Sequence, residues 1–153
     1  MANLVLIGAA SVSRNVGPHS TIQVSSNALD LWNAWEANPE IREMAEAFIT
    51  KPSAHWSADD DRFSEVLHSD PDRALATIFG MMQLSDDPTV HGTIAAGPLE
   101  DFLGAHGESY LDVFHLLAIK QARLRDVLDG VWQGAMPKRV WHRIEVLKKR
   151  AFS

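Results

Sequence analysis

Glu100, Asp101, His106 and Glu108 form the closest grouping of side chains in this chain that could do chemistry. Two adjacent carboxylates, an imidazole and a third carboxylate could together offer oxygen and nitrogen ligands to a divalent ion, provided the segment 104–107 folds back on itself. The competing structural reading is preferred. Glu100 and Asp101 fill the first turn of a helix opened by Gly97-Pro98, where carboxylates complement the helix dipole, and His106-Gly107 forms the turn at its far end. The remaining histidines, His19, His55, His68, His91, His115 and His142, show no His-x-x-x-His or His-Glu-x-x-His pair. Val5-Leu6-Ile7-Gly8-Ala9-Ala10 resembles the opening of a dinucleotide-binding strand and turn, but the second and third glycines of that fingerprint are missing. There is no Walker loop and no G-x-S-x-G elbow. No metal and no cofactor is expected.

The other acids read first as helix starters. Asp59, Asp60 and Asp61 follow Ser57, a capping residue type, and Asp86-Asp87 precedes Pro88. Together with Glu65 they make the candidate partner-binding set, with Glu100 and Asp101 as second choice. The charge distribution supports a recognition role: residues 1–119 hold 5 Lys and Arg against 17 Asp and Glu, whereas residues 120–153 hold 9 against 3, within a net charge of −6. Such polarity bears on encounter with partners rather than on fold.

These residues must be positioned by helices. Asn38-Pro39 and Asp70-Pro71 each pair a capping side chain with a proline at the first helical position, and Ile41, Met44, Ala45, Phe48 and then Leu75, Ile78, Phe79, Met82 recur at helical spacing. Tyr110 to Val131 keeps a period near 3.6 with a break near Lys120, and Pro137 opens a last helix bearing Val140, Trp141, Ile144 and Leu147. The spacing predicts an all-α array of short antiparallel amphipathic helices over 27–153, with solenoid-like stacking as one form that such an array takes. Residues 1–26 read differently: Leu4-Val5-Leu6-Ile7 and Thr21-Ile22-Gln23-Val24 are strand-like runs around Gly17-Pro18, which predicts a small β hairpin or an irregular arm. Trp132 and Trp141 are expected to pack against the Pro98 helix.

The stretch Ile94-Ala95-Ala96-Gly97-Pro98-Leu99-Glu100-Asp101-Phe102-Leu103, followed by His106-Gly107, Val131-Trp132, Met136-Pro137 and Trp141, resembles a family of small bacterial domains of unknown function with an A-A-G-P-L-E-D-x-L core. The likeness is strongest over 94–141 and looser over 27–93. It implies a helical fold and no settled activity.

With 153 residues and no cysteine, the chain can bury one core without disulfides, and thiolate metal sites and cysteine nucleophiles are excluded. No run approaches the roughly 20 apolar residues of a membrane span, and the N-terminal apolar run lacks a basic n-region, so a cytoplasmic protein is expected. The functional expectation is a non-enzymatic protein-binding module. It would act as a stoichiometric inhibitor, either a phage-borne antagonist of a nucleic-acid-handling defence complex such as CRISPR-Cas or a toxin immunity protein, presenting an acidic face to a basic protein or ribonucleoprotein. One alternative is a metal-dependent enzyme around Glu100, Asp101, His106 and Glu108. Another is a nucleic-acid binder using Lys138, Arg139, Arg143, Lys148, Lys149 and Arg150, which the acidity of the rest of the chain opposes. A homodimer is compatible with an exposed tryptophan near the N-terminal arm.

Overall fold

The computed structural model describes residues 21–50 and 58–150, and every regular element among them is helical. Helix α1 spans Thr21–Ala37, α2 Pro39–Thr50, α3 Ala58–Ser69, α4 Pro71–Leu84 and α5 Pro88–Ile94. A π turn over Ala95–Leu99 leads directly into α6, Glu100–Lys120, and then come α7, Ala122–Leu128, and α8, Lys138–Arg150. The cap and proline pairs behave as their chemistry dictates. Asn38 Oδ1 accepts from the amides of Glu40 and Ile41 at 3.0 and 3.2 Å, Asp70 Oδ1 from Arg73 N at 3.2 Å, and Asp87 Oδ1 from Thr89 N at 2.9 Å. Each thereby satisfies a first-turn donor that the helix itself leaves unpaired.

Helix α4 is the hub. Its residues from Ala74 to Met82 are all buried, so it is apolar all round rather than on one stripe, and it packs against α1, α2, α3, α5, α6 and α7. In a solenoid each unit meets only its sequence neighbours, so this arrangement replaces the solenoid expectation with a bundle wrapped on one central helix. Phe79 sits at its middle, 5.1 Å from the ring of Trp32 and 5.9 Å from that of Phe114, and Phe102 continues the aromatic chain at 6.4 Å from Phe114. Full burial of each such side chain contributes about 1.5–3 kcal/mol. Gln83 Nε2 ties the hub to α1 by donating to Trp32 O at 2.7 Å.

Three local expectations are corrected. Thr21-Ile22-Gln23-Val24 is the first turn of α1, not a strand: a short β-branched run adopts helix when the residues after it, including buried Ala28 and Trp32, anchor that helix on α4 and α6. Leu4 to Ile7 and the remainder of the expected arm lie outside the described residues. Secondly, Gly97-Pro98 does not start a helix. Residues 94–100 keep helical dihedrals throughout, with Pro98 inside the π turn. Proline cannot donate to the Ile94 carbonyl four residues back, and a π register offers that carbonyl to the next amide instead, which accommodates the ring without breaking the helix. Thirdly, His106-Gly107 is not a terminus but lies within α6. Gly107 is buried against α8, and a Cβ built on it would stand 2.7 Å from Val140 Cγ1, so glycine here permits close approach of two helices.

Candidate functional site

The segment between α7 and α8 is short, irregular and held from both sides. Val131 and Met136 are buried in the core, while Gly134 and Ala135 between them are exposed. Gly134 adopts φ +48°, a left-handed conformation that other residues rarely take, and the amide of Met136 closes the turn on Gln133 O at 2.8 Å. Glu100, at the start of α6, accepts the Trp132 amide on Oε2 at 2.8 Å. Lys148, in the last turns of α8, donates from Nζ to Val131 O at 2.7 Å. Both polar groups of the peptide linking Val131 to Trp132 are thus gripped by charged side chains, the stronger kind of hydrogen bond.

This clamp presents an indole. Trp132 is 75% exposed, against 58% for Ile119 and 41% for Leu29, the other large exposed apolar residues among those described. The expectation that Trp132 packs on the Pro98 helix is therefore corrected: its backbone is bound there and its ring is not buried. Trp141 is half-buried against the core, with Lys148 Nζ 4.7 Å from its ring centre. Trp35 likewise carries the Arg42 guanidinium at 5.2 Å, and Trp32 packs against Phe79 with the rings tilted by 54°. Trp56 lies outside the described residues.

Electrostatics around the loop are uneven. Burial pulls the Lys148 ammonium below the ordinary lysine range, and Asp129, Glu145 and Glu100 oppose that shift. One committed cation therefore faces three carboxylates. Burial also raises the Asp101 carboxyl above its usual value, although its side chain reaches solvent. Helix α8 offers the opposite sign: Lys138, Arg139, His142 and Lys149 are exposed, and Arg139 lies 3.6 Å from Glu108.

The candidate metal-binding group is not assembled. Glu100 turns to the Trp132 amide and Glu108 to Arg139, while His106 Nε2 donates to Leu67 O at 2.6 Å in the last turn of α3. Among the described residues no three His, Asp or Glu side chains are placed to hold a metal ion. The histidines have another use. His91 Nε2 donates to Ser85 O at 2.6 Å and Met82 O at 3.1 Å, and Arg123 Nη1 donates to the same two carbonyls at 2.8 and 2.9 Å, so the end of α4 is capped twice.

The candidate acids divide. Asp86 pairs with Arg123 Nη2, and Asp87 caps α5, so both serve the fold. Asp59, Asp60 and Asp61 occupy the first turn of α3, with their side chains outside the described set, and Glu65 is exposed further along the same helix. The acids of α2 and the cap of α4 are laced by arginine: Arg42 with Glu46, Arg62 with Glu43, and Arg73 with Glu40 and Asp70. The clamp itself was not readable beforehand. Glu100, Trp132 and Lys148 are separated by 32 and 16 positions, and no periodicity links them.

The chain belongs to a family of unknown function, DUF6869, whose model matches residues 32–152. No curated protein and no solved structure matches the chain.

Proposed function

We propose that this member of a family of unknown function is a non-enzymatic protein-binding module, acting as a stoichiometric inhibitor of a basic protein or ribonucleoprotein. The observation that carries the reading is the presentation of Trp132. A large exposed indole on a backbone held by Glu100 and Lys148 has the properties of an interface anchor: a broad apolar group whose main chain is already fixed before binding, so that only the side chain is left to order. The acids Asp59, Asp60, Asp61 and Glu65 of α3 supply long-range attraction for a basic target, which raises the on-rate more than the affinity. Asp86 and Asp87 are set aside from that face because Arg123 engages the first and the cap of α5 the second. A phage-borne antagonist of a defence complex and a toxin immunity protein both fit this mode of action.

The test is affinity capture from nuclease-treated host lysate with the full chain and with Trp132→Ala, at low and moderate salt. The expected result is a basic protein retained in stoichiometric amount by the unaltered chain, released as salt rises, and lost from the variant. Equal retention by Trp132→Ala removes the anchor and with it the reading.

A nucleic-acid reading is favoured by one observation, the exposed cationic positions Lys138, Arg139, His142 and Lys149 of α8. It requires affinity for generic single-stranded DNA or RNA at low salt that falls steeply as salt is added.

A further inference from the structure

We infer that the surface around Trp132 receives a cationic side chain of the partner, an arginine lying on the indole face and paired with the adjoining carboxylates. This deepens the protein-binding reading and rests on it. Three features of the chain support the assignment.

The first is the fate of the indoles. Trp32 packs at a tilt against Phe79, Trp35 lies beneath Arg42, and Trp141 lies beneath Lys148. Two of the four described indoles therefore already carry a cation, and Trp132 is the one presented to solvent without a ring or cation contact among the described residues. The chain uses cation–π pairing twice within itself, and the surface indole offers the same π face to another molecule.

The second is the charge beside it. Glu100, Asp129 and Glu145 all act on Lys148, whose ammonium is committed to Val131 O and to the Trp141 ring. An excess of negative charge remains where the Trp132 backbone is held. Asp129 is exposed and lies three positions before Trp132, at the end of α7, and Glu145 is half-buried on α8. An incoming acid or phosphate would meet this excess as repulsion; a cation would neutralise it.

The third is the match of shape to chemistry. A guanidinium is planar, stacks on an aromatic face and still directs edge donors sideways to carboxylates, whereas an ammonium is a compact, strongly hydrated point charge. Arginine therefore satisfies both features at once, and lysine only the charge.

The experiment uses octa-arginine as probe, with octa-lysine, octa-glutamate and oligo-dT as comparators, titrated calorimetrically against the full chain, Trp132→Ala, and the double variant Asp129→Asn/Glu145→Gln. Retained thermal unfolding checks that each variant folds. Octa-arginine is expected to bind more tightly than octa-lysine, and both variants to weaken it about tenfold. Octa-arginine affinity equal in all three proteins overturns the assignment, since attraction to a net acidic surface then explains everything. Oligo-dT binding that depends on Trp132 overturns it in favour of a base-stacking role. The two readings fail separately: if lysate capture depends on Trp132 but neither octa-arginine nor the carboxylate variant has an effect, the binding module stands and the cation receptor falls.

Discussion

Glu100 and Lys148 hold opposite ends of a single peptide group, the carboxylate taking the Trp132 amide at 2.8 Å and the ammonium giving to the Val131 carbonyl at 2.7 Å. The two residues come from the start of α6 and the end of α8, so the loop is fixed by elements that the core already positions. Replacing Glu100 by Gln keeps an acceptor and should leave the loop in place. Glu100→Ala removes it, and the Trp132 amide is expected to exchange with solvent at least about tenfold faster, at a cost of about 1 kcal/mol, as read by amide exchange and urea unfolding.

Trp132→Ala separates binding from stability. A side chain that is 75% exposed should change the unfolding free energy by less than about 0.5 kcal/mol. An interface anchor should cost at least about 2 kcal/mol of partner affinity, roughly thirtyfold. A loss of stability comparable to the loss of binding would mean that the indole belongs to the fold.

Gly107→Ala tests the contact between α6 and α8. The added methyl meets Val140 Cγ1 at 2.7 Å, and a β-branched valine cannot swing aside cheaply. Overpacking is expected to destabilise by about 1–3 kcal/mol, partly offset by the roughly 1 kcal/mol that alanine gains over glycine in a helix. Adding Val140→Ala should relieve the clash, so the double variant loses less than the sum of the two single changes in denaturant titrations.

Arg123 and His91 share two carbonyls at the end of α4, and Arg123 alone also reaches Asp86. Arg123→Ala should cost about 1–2 kcal/mol and Asp87→Ala about 0.5–2 kcal/mol through the lost cap of α5. Because both act on the turn between α4 and α5, their effects are expected to be non-additive in a double-variant cycle.

Asp101 makes a pH-dependent prediction. Burial holds its carboxyl above the ordinary value of 3.8, so the folded chain binds that proton more tightly than the unfolded chain does. Its contribution to stability therefore falls as pH rises from 3.8 through the raised value, and it stays unfavourable at neutral pH. Asp101→Asn should be the more stable protein at neutral pH, with the advantage vanishing near pH about 3 in urea titrations. A constant advantage at all pH values would assign the difference to something other than this proton.

The helices were legible in the sequence because their signals are local. Asn38, Asp70 and Asp87 before prolines, and apolar residues spaced by three and four, need only neighbours to act. Thr21 to Val24 misled because β-branched residues carry a strand preference that tertiary anchoring overrides. Gly97-Pro98 misled because a proline inside a helix and a proline opening one present the same dipeptide, and only the π register distinguishes them. The acids were read as available when charge alone was visible; the pairing of Asp86 with Arg123, 37 positions away, is a property of the folded chain. The clamp on Trp132 is tertiary in the same sense.

The π turn has a geometric consequence of its own. A regular α-helix advances about 100° per residue, so its apolar stripe keeps one bearing along its length. One residue added to a turn rotates everything downstream by about that angle. Upstream of the turn the run packs on α4 and α7, and downstream it keeps both neighbours and adds α1 and α8. The chain thereby widens the set of neighbours that its stripe can meet without leaving the helix, by a shift of phase along one continuous run.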